Sequence, residues 1–298
     1  MLLVACQAAP SATPPAAPSI PPAAPSTPPA APSTPPAAPS APPTAPSTPP
    51  SPAAPPAAGP QGQVTPDVVD SSEVIFNSGT FNIKGYLSRP KASGPFPGLI
   101  IIHENRGLTG HIKDVARRYA NQGYAVLAPD LLSRVGGTAQ FATTNEAVAA
   151  IGTLSGEGVI QDLNSAFTYL ESLPFVNKNR IGVLGYCWGG GNSLLFTTRN
   201  SSLKAAVVYY GPNPAKLDDV ANITAPLLGM YGADDTRITV NVPVLEEAMK
   251  KYNRTFEYKI YPGAAHAFFN DTGTLYNAEA ASDAWQNTVA FLQKHLKN

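Results

Sequence analysis

One pentapeptide constrains the fold of this 298-residue chain more than any other stretch: Gly185-Tyr186-Cys187-Trp188-Gly189. The apolar residues 181–184 before it are typical of a buried strand, and residues 192–196 after it are typical of a helix. A strand that turns sharply into a helix strains the residue at the corner, so glycines must flank that residue. The pattern therefore predicts a nucleophile elbow with Cys187 at the corner. A structural cysteine beside a glycine turn is the alternative.

A base and an acid should accompany such a nucleophile. In enzymes with this elbow the acid and then the base follow in chain order, each on a loop after a later strand. Asp235 and His266 fit that order. We therefore predict that His266 takes the proton of Cys187 and that Asp235 orients the imidazole. The neighbouring Asp234 is interpreted as a turn residue, and two loop acids that cap the next helix remain the alternative.

Three other histidines are weaker candidates for the base. His103 follows an apolar run near the predicted top of the sheet and is the closest rival. His111 is expected to be solvated at the start of a helix, and His295 lies near a helix C-terminus, where a cation is favourable. A zinc peptidase motif is absent because Gly107 stands where H-E-x-x-H requires its second histidine.

Apolar runs alternate between strand and helix patterns after an initial hairpin. Strands are predicted over residues 73–76, 80–87, 99–103, 124–128, 181–184, 203–210, 227–231 and 256–261, and helices over residues 111–121, 159–173 and 278–295. Repeated βαβ units imply a mostly parallel sheet with helices on both faces. The sequence therefore predicts an α/β domain over residues 67–298.

The first 66 residues have a different composition. Residues 1–6 resemble a truncated lipoprotein-type signal in which Cys6 would carry the lipid, although an ordinary apolar N-terminus is the alternative. Residues 7–66 are rich in Pro, Ala, Ser and Thr, and the first charged residue is Asp67. Such a segment cannot form a core and is predicted to be a disordered tether. We therefore expect an extracytoplasmic bacterial lipoprotein, anchored to the membrane only through that lipid.

The net charge and the two cysteines limit the kinds of binding partner and chemistry that we expect. The formal net charge is zero, so neither nucleic acid nor an anionic membrane surface is expected as an electrostatic partner. Lipidation of Cys6 would leave Cys187 as a free thiol, which favours a catalytic role. We expect a monomer that acts on a small molecule.

Several further stretches resemble the dienelactone hydrolase family, whose members have the α/β-hydrolase fold. They are residues 102–108, 122–125, 128–131 and 209–211, together with the elbow and the loops that carry Asp235 and His266. The resemblance spans most of residues 73–297 in the order of the family and does not cover the tether. The elbow in its Gly-Tyr-Cys-Trp-Gly-Gly form is its most specific part.

The resemblance also implies roles for residues outside the triad. Glu104 would contact the resting thiol and help to generate the thiolate. The backbone N–H groups of Asn105 and Trp188 would form the oxyanion hole. Arg134 would bind a carboxylate of the substrate. Members that cleave dienelactone carry a second arginine where this chain has Asn270, so we expect neutral esters or lactones to be preferred.

Together these patterns predict a carboxymethylenebutenolidase-like hydrolase of carboxylic esters or lactones. The Cys-Asp-His triad would form a thioester acyl-enzyme, and it requires neither a metal ion nor an organic cofactor. A non-catalytic, surface-attached binding module that keeps the hydrolase fold is the alternative.

Overall fold

An eight-stranded sheet lies at the centre of the computed structural model, which describes residues 68–298. The strands are β1 (Val69–Ser78), β2 (Phe81–Pro90), β3 (Phe96–Ile102), β4 (Ala125–Pro129), β5 (Val176–Tyr186), β6 (Ala205–Tyr209), β7 (Leu227–Gly232) and β8 (Phe256–Tyr261). Their order in the sheet is β1-β2-β4-β3-β5-β6-β7-β8. The predicted lipidation site at Cys6 and the predicted tether lie outside the described residues.

The sheet is mostly parallel, as predicted. Only β2 runs antiparallel to its neighbours β1 and β4, and the remaining pairs are parallel. The predicted hairpin between β1 and β2 is confirmed, but its loop is two residues long, whereas the predicted strands left residues 77–79 for the turn. Ser78 pairs with Phe81, so the loop consists of Gly79 and Thr80. Gly79 has a φ of 58°, which a residue without a Cβ adopts at little cost.

Helices cover both faces of the sheet. They are α1 (Gly110–Asn121), α2 (Thr144–Ile151), α3 (Gly156–Ser172), α4 (Trp188–Arg199), α5 (Thr236–Thr239), α6 (Val242–Lys251) and α7 (Ala278–Leu296). The buried side chains of α1 and α7 pack with one core cluster, and those of α3, α4 and α6 pack with another. In β3, Leu99 and Ile101 belong to the first cluster while Ile100 and Ile102 belong to the second. This alternation is what buries a parallel strand on both faces.

Helix α2 has no counterpart among the predicted helices. It buries only Ala147 and Ile151, so its apolar pattern is weak. Its start is nevertheless encoded locally. The side chains of Thr143 and Glu146 each bond the backbone N–H of the other, forming a capping box that satisfies free N–H groups at the N-terminus.

Within residues 68–298, no helix combines the length and the apolar character that crossing a bilayer demands.

Candidate active site

Cys187 occupies a strained corner between β5 and α4. Its φ and ψ are 56° and −118°, a backbone conformation that residues other than glycine rarely adopt. The backbone passes so closely here that a Cβ on Gly185 would lie 2.0 Å from the carbonyl oxygen of Gly189. A Cβ on Gly189 would lie 2.4 Å from the carbonyl oxygen of His103. The predicted elbow is therefore present, and both flanking glycines are sterically required.

The corner thiol is joined to a histidine and a carboxylate. His266 Nε2 lies 3.0 Å from Cys187 Sγ, and His266 Nδ1 lies 2.5 Å from Asp235 Oδ2. Asp235 is 7 % exposed, whereas its neighbour Asp234 is exposed. The structure thus brings together the three residues predicted as a triad, and it separates Asp235 from Asp234.

Two interlocked loops hold the acid and the base in place. The backbone N–H groups of Ala233 and Asp234, after β7, donate at 2.9 and 3.0 Å to the carbonyl oxygens of Tyr261, the last residue of β8, and Ala264, which follows β8. Within the β7 loop, the N–H of Asp235 donates to the carbonyl oxygen of Gly232 at 3.1 Å. Because the loops bond each other, the carboxylate and the imidazole are positioned by backbone contacts as well as by their own hydrogen bond.

The environment of His266 favours its protonated form. Burial by itself would lower the pKa of His266. The hydrogen bond and charge of Cys187, together with those of Asp235, outweigh burial and raise this pKa to about 9. The hydrogen bonds of His266 with Cys187 and Asp235 therefore suit this ring to hold a proton at neutral pH.

His103, the rival base, has a structural role. Its ring is fully buried, with Nδ1 2.7 Å from the carbonyl oxygen of Glu104, while Nε2 accepts from the backbone N–H of Leu131 at 3.1 Å. Burial is the largest influence on the pKa of His103 and lowers it. A neutral ring with both nitrogens engaged ties the loop after β3 to the loop after β4, and its face stacks on Trp188.

Glu104 lines the cavity that contains Cys187, but no hydrogen bond joins its carboxylate to the thiol among the described residues. Instead Glu104 Oε2 accepts from Asn270 Nδ2 at 2.8 Å. The oxygen of the Asn270 side chain accepts from the backbone N–H and the hydroxyl of Thr272, which fixes the orientation of the amide. Glu104 therefore makes no hydrogen bond to the resting thiol in this structure, and Asn270 binds one of its two carboxylate oxygens. The part expected of Glu104 in forming the thiolate stays a prediction.

Arg134 does not reach the cavity, contrary to the expectation. Its guanidinium donates twice to Asp162, from Nε to Oδ2 and from Nη2 to Oδ1, each at 2.8 Å. It also donates to Gln161 and lies 4.3 Å from the ring centroid of Phe81. Since the Asp162 side chain is 1 % exposed, the guanidinium is needed there to balance a buried charge. The role implied for Arg134 in substrate binding is therefore corrected to a structural one.

The cavity at Cys187 has a volume of about 550 Å³. Asn105 and Trp188, the predicted oxyanion-hole residues, both line it, and Trp188, as the first residue of α4, has no intrahelical partner for its N–H. Two arginines, Arg106 and Arg237, also line it, and neither guanidinium makes a hydrogen bond or ion pair with a described residue. Apolar side chains form much of the remaining wall: Val148, Ile151, Pro212, Ile238, Ala267 and Leu275.

Among residues 68–298, no three His, Cys, Asp or Glu side chains cluster in a way that could hold a metal ion.

The comparison with known families agrees with this geometry. A model of the dienelactone hydrolase family matches residues 83–296. The chain belongs to the dienelactone hydrolase family. It is accordingly a hydrolase that acts on ester bonds.

Individual relatives support the assignment. A protein of Saccharolobus solfataricus assigned as a carboxymethylenebutenolidase is 32% identical over 76% of this chain and 99% of its own. One from Escherichia coli K12 with the same assignment is 32% identical over 82% of this chain and 94% of its own. The structure described as a dienelactone hydrolase from Klebsiella pneumoniae has a TM-score of 0.71 and 31% identity, covering 76% of this chain and 99% of that one.

Sequence reasoning missed the two arginines of this family member's cavity. Arg106 directly follows Asn105, and Arg237 comes two residues after Asp235. Arg106 lies on the loop after β3 and Arg237 on the short helix α5 that follows β7. These positions were a usable signal, because segments that follow parallel strands meet at the carboxyl edge of the sheet. Their freedom from ion pairs could be known only from the structure.

Replacing Arg134 should destabilise the enzyme without impairing the site. In Arg134→Met the buried carboxylate of Asp162 loses its partner, so we expect the free energy of unfolding to fall by about 3 kcal/mol. The kcat/KM of the folded protein should stay within about twofold of the wild type. Urea unfolding followed by circular dichroism, together with ester hydrolysis, measures both quantities.

Arg199→Met is the matched control for Arg134→Met, since Arg199 pairs with Asp219 at the surface. Arg199→Met should lower the free energy of unfolding by no more than about 1 kcal/mol. If Arg134→Met kept full stability and lost activity only on carboxylate-bearing esters, the structural role of Arg134 would be wrong.

The raised pKa of His266 predicts an alkaline limb in the pH profile of kcat/KM. Activity should fall as pH rises through about 9, because His266 then loses the proton that the leaving group needs. Asp235→Asn removes a carboxylate that raises this pKa, so the limb should move to lower pH as total activity drops. Asp234→Asn, an exposed neighbour, should leave the limb in place. If the alkaline limb did not move in Asp235→Asn, its assignment to the titration of His266 would be wrong.

Proposed function

We propose that this protein is a cysteine-dependent hydrolase of carboxylic esters or lactones. The observation that carries the proposal is the unbroken hydrogen-bonded series from Cys187 Sγ through His266 to Asp235, at the strained elbow and within an open cavity. A buried structural cysteine needs neither the strain nor the imidazole. Membership in a family of ester-bond hydrolases supports the same reading.

The first half of the reaction acylates the thiol. The thiolate of Cys187, next to the imidazolium of His266 and at the positive end of the α4 dipole, attacks the acyl carbon. The negative charge that develops on the carbonyl oxygen is stabilised by the N–H groups of Asn105 and Trp188. The bond to the alcohol oxygen then breaks, and His266 Nε2 gives its proton to the leaving oxygen. The product is a thioester on Cys187.

The second half restores the enzyme. The now neutral His266 removes a proton from a water molecule, and the hydroxide attacks the thioester carbon. The carbon–sulfur bond breaks, which releases the acid and returns Cys187 as a thiolate beside an imidazolium. Throughout the reaction Asp235 keeps a proton on His266 Nδ1, because its carboxylate accepts from Nδ1–H. His266 Nε2 is thereby left to exchange the proton. With a lactone, both products remain in one hydroxy acid.

The cavity lining supports substrates with an apolar body and an anionic group. The guanidinium groups of Arg106 and Arg237 are exposed in the cavity and have no protein partner among the described residues, so a carboxylate can pair with them. Val148 and Leu275 remain exposed at the same cavity, where they suit a hydrocarbon chain. The preference expected for neutral substrates assumed Arg134 as the only cation, so we propose in its place that Arg106 and Arg237 recognise a carboxylate.

Replacing the nucleophile tests the mechanism. Cys187→Ala should abolish hydrolysis, and Cys187→Ser should leave a much weaker enzyme because a hydroxyl is far less acidic than a thiol. Cys187 should also be the site that iodoacetamide alkylates, as mass spectrometry of the labelled protein can identify. Retention of wild-type turnover by a folded Cys187→Ala variant would exclude the proposed triad.

Substrate charge is tested with two esters of matched length, mono-4-nitrophenyl glutarate and 4-nitrophenyl pentanoate. Arg106→Gln and Arg237→Gln should each lower kcat/KM for the anionic ester about tenfold or more, the usual effect of losing a charge-assisted hydrogen bond. The neutral ester should lose much less. Lys178→Gln removes an exposed charge at the start of β5 and serves as the control. Equal losses on both esters would contradict recognition of a carboxylate.

A further inference from the structure

A second cavity adjoins the one that contains Cys187. Its volume is about 380 Å³, and Glu104 and Arg106 line both cavities. Its lining is unusually polar, with His111, Asn270 and five threonines: Thr109, Thr138, Thr143, Thr144 and Thr272. The proposed hydrolysis uses none of these side chains. A polar chamber next to a reactive thiol suits part of a substrate.

Glu104 presents one unsatisfied oxygen in this region. The carboxylate is buried, and Oε2 accepts from Asn270, but Oε1 accepts no hydrogen bond from any described residue. A buried carboxylate oxygen without a donor costs free energy that a bound donor would recover. Glu104 is therefore prepared to accept a hydrogen bond from a ligand.

His111 provides a second unsatisfied atom. Its side chain is 3 % exposed, although the sequence suggested a solvated position. Nδ1 lies 3.1 Å from Asp271 Oδ1, and Asp271 also pairs with Arg118. The hydrogen bond from His111 and the charge of Arg118 hold the pKa of Asp271 at about 2, so Asp271 is ionised and Nδ1 donates. Nε2 is buried and has no partner among the described residues.

We infer that the second cavity is a subsite for a hydroxyl-bearing part of the substrate, bound by Glu104 Oε1 and His111 Nε2. This inference rests on the proposed ester hydrolysis and adds a class of substrate, hydroxylated esters or lactones. Both unpartnered atoms belong to buried side chains on the walls of one chamber, which sets them apart from solvated surface groups.

The hydrogen-bonding capacity of the lining explains why a hydroxyl fits. Glu104 Oε1 can only accept when the carboxylate is ionised, whereas His111 Nε2 accepts in a neutral ring and donates in a protonated one. Two of the threonine hydroxyls are already committed, that of Thr138 to Asp130 and that of Thr272 to Asn270. A hydroxyl group can donate to Glu104 Oε1 and can pair with His111 Nε2 in either form of the ring, and it does so without introducing charge.

Two pairs of esters test the inference with the full-length enzyme. Glycerol 1-monobutyrate and propyl butyrate differ in hydroxyl groups on the alcohol, whereas methyl 3-hydroxybutanoate and methyl butanoate differ on the acyl side. We expect the enzyme to prefer the hydroxylated member of at least one pair. In His111→Asn the new amide keeps the bond to Asp271 but places nothing at Nε2. That preference should then fall about threefold to tenfold, the usual effect of losing one hydrogen bond.

A second variant keeps the test decisive if His111→Asn does not fold. Thr144→Phe fills the cavity from an exposed position at the start of α2, and it should also reduce the preference. Asn145→Phe is its control, since the adjacent exposed residue lines neither cavity. His295→Asn is the control for His111→Asn, because the Nε2 atom of His295 is likewise buried and unpartnered but lies on α7.

The outcomes separate the two proposals. If Cys187→Ala abolishes hydrolysis while both selectivity ratios stay at their wild-type values in His111→Asn and Thr144→Phe, only the subsite is wrong. If wild-type enzyme shows no preference within either pair, the subsite is likewise excluded. If Cys187→Ala still hydrolyses the esters, the proposed mechanism fails whatever the ratios. A preference that falls in both variants and not in their controls supports the subsite.

Discussion

The close backbone packing around Cys187 is the constraint on which the rest of the site depends. A positive φ at a cysteine is unfavourable, and it persists only because surrounding contacts determine it. The N–H of Cys187 donates to the carbonyl oxygen of Tyr209 in β6 at 3.0 Å. Gly185 and Gly189, which have no Cβ, allow the backbone segments around Cys187 to approach closely. The free energy that builds the sheet thus holds the thiol at the carboxyl edge of β5, in reach of every loop that contributes to the cavity.

A polar network below the cavity holds the loop that carries Glu104 and Asn105. Both oxygens of the Asp130 carboxylate accept hydrogen bonds from Thr138, whose hydroxyl accepts from the backbone N–H of Leu108. The neutral ring of His103 adds a link to Leu131. Because these buried groups satisfy one another, the loop with Asn105, a proposed oxyanion-hole residue, needs no support from the substrate.

The sequence was sufficient for features that depend on local pattern. All eight strands were predicted: apolar runs mark the buried parallel strands, and alternating or turn-flanked patterns mark β1, β2 and β8. The three residues proposed as a triad followed from the elbow and chain order. Side-chain pairs between segments that are distant in the sequence could not be predicted from it. Nothing near Arg134 in the sequence indicates that Asp162, on α3, would bind it. The same holds for Asn270 and Glu104, and for His111, whose burial depends on Asp271. Sequence spacing gives the edge of the sheet where a residue lies, but not which charge it pairs with.

Helix α2 lines both cavities but is only lightly packed against the rest of the domain. It contributes Val148, Ile151, Thr144 and Ala147 to the two cavities, yet its buried contacts are limited to a small cluster with Leu132. Helix α2 therefore shapes the chamber while adding little to the core that positions the thiol. Substitutions or length changes there would alter which molecules enter without changing how the bond is broken. Such a division allows specificity to diverge among homologous enzymes at low cost to folding.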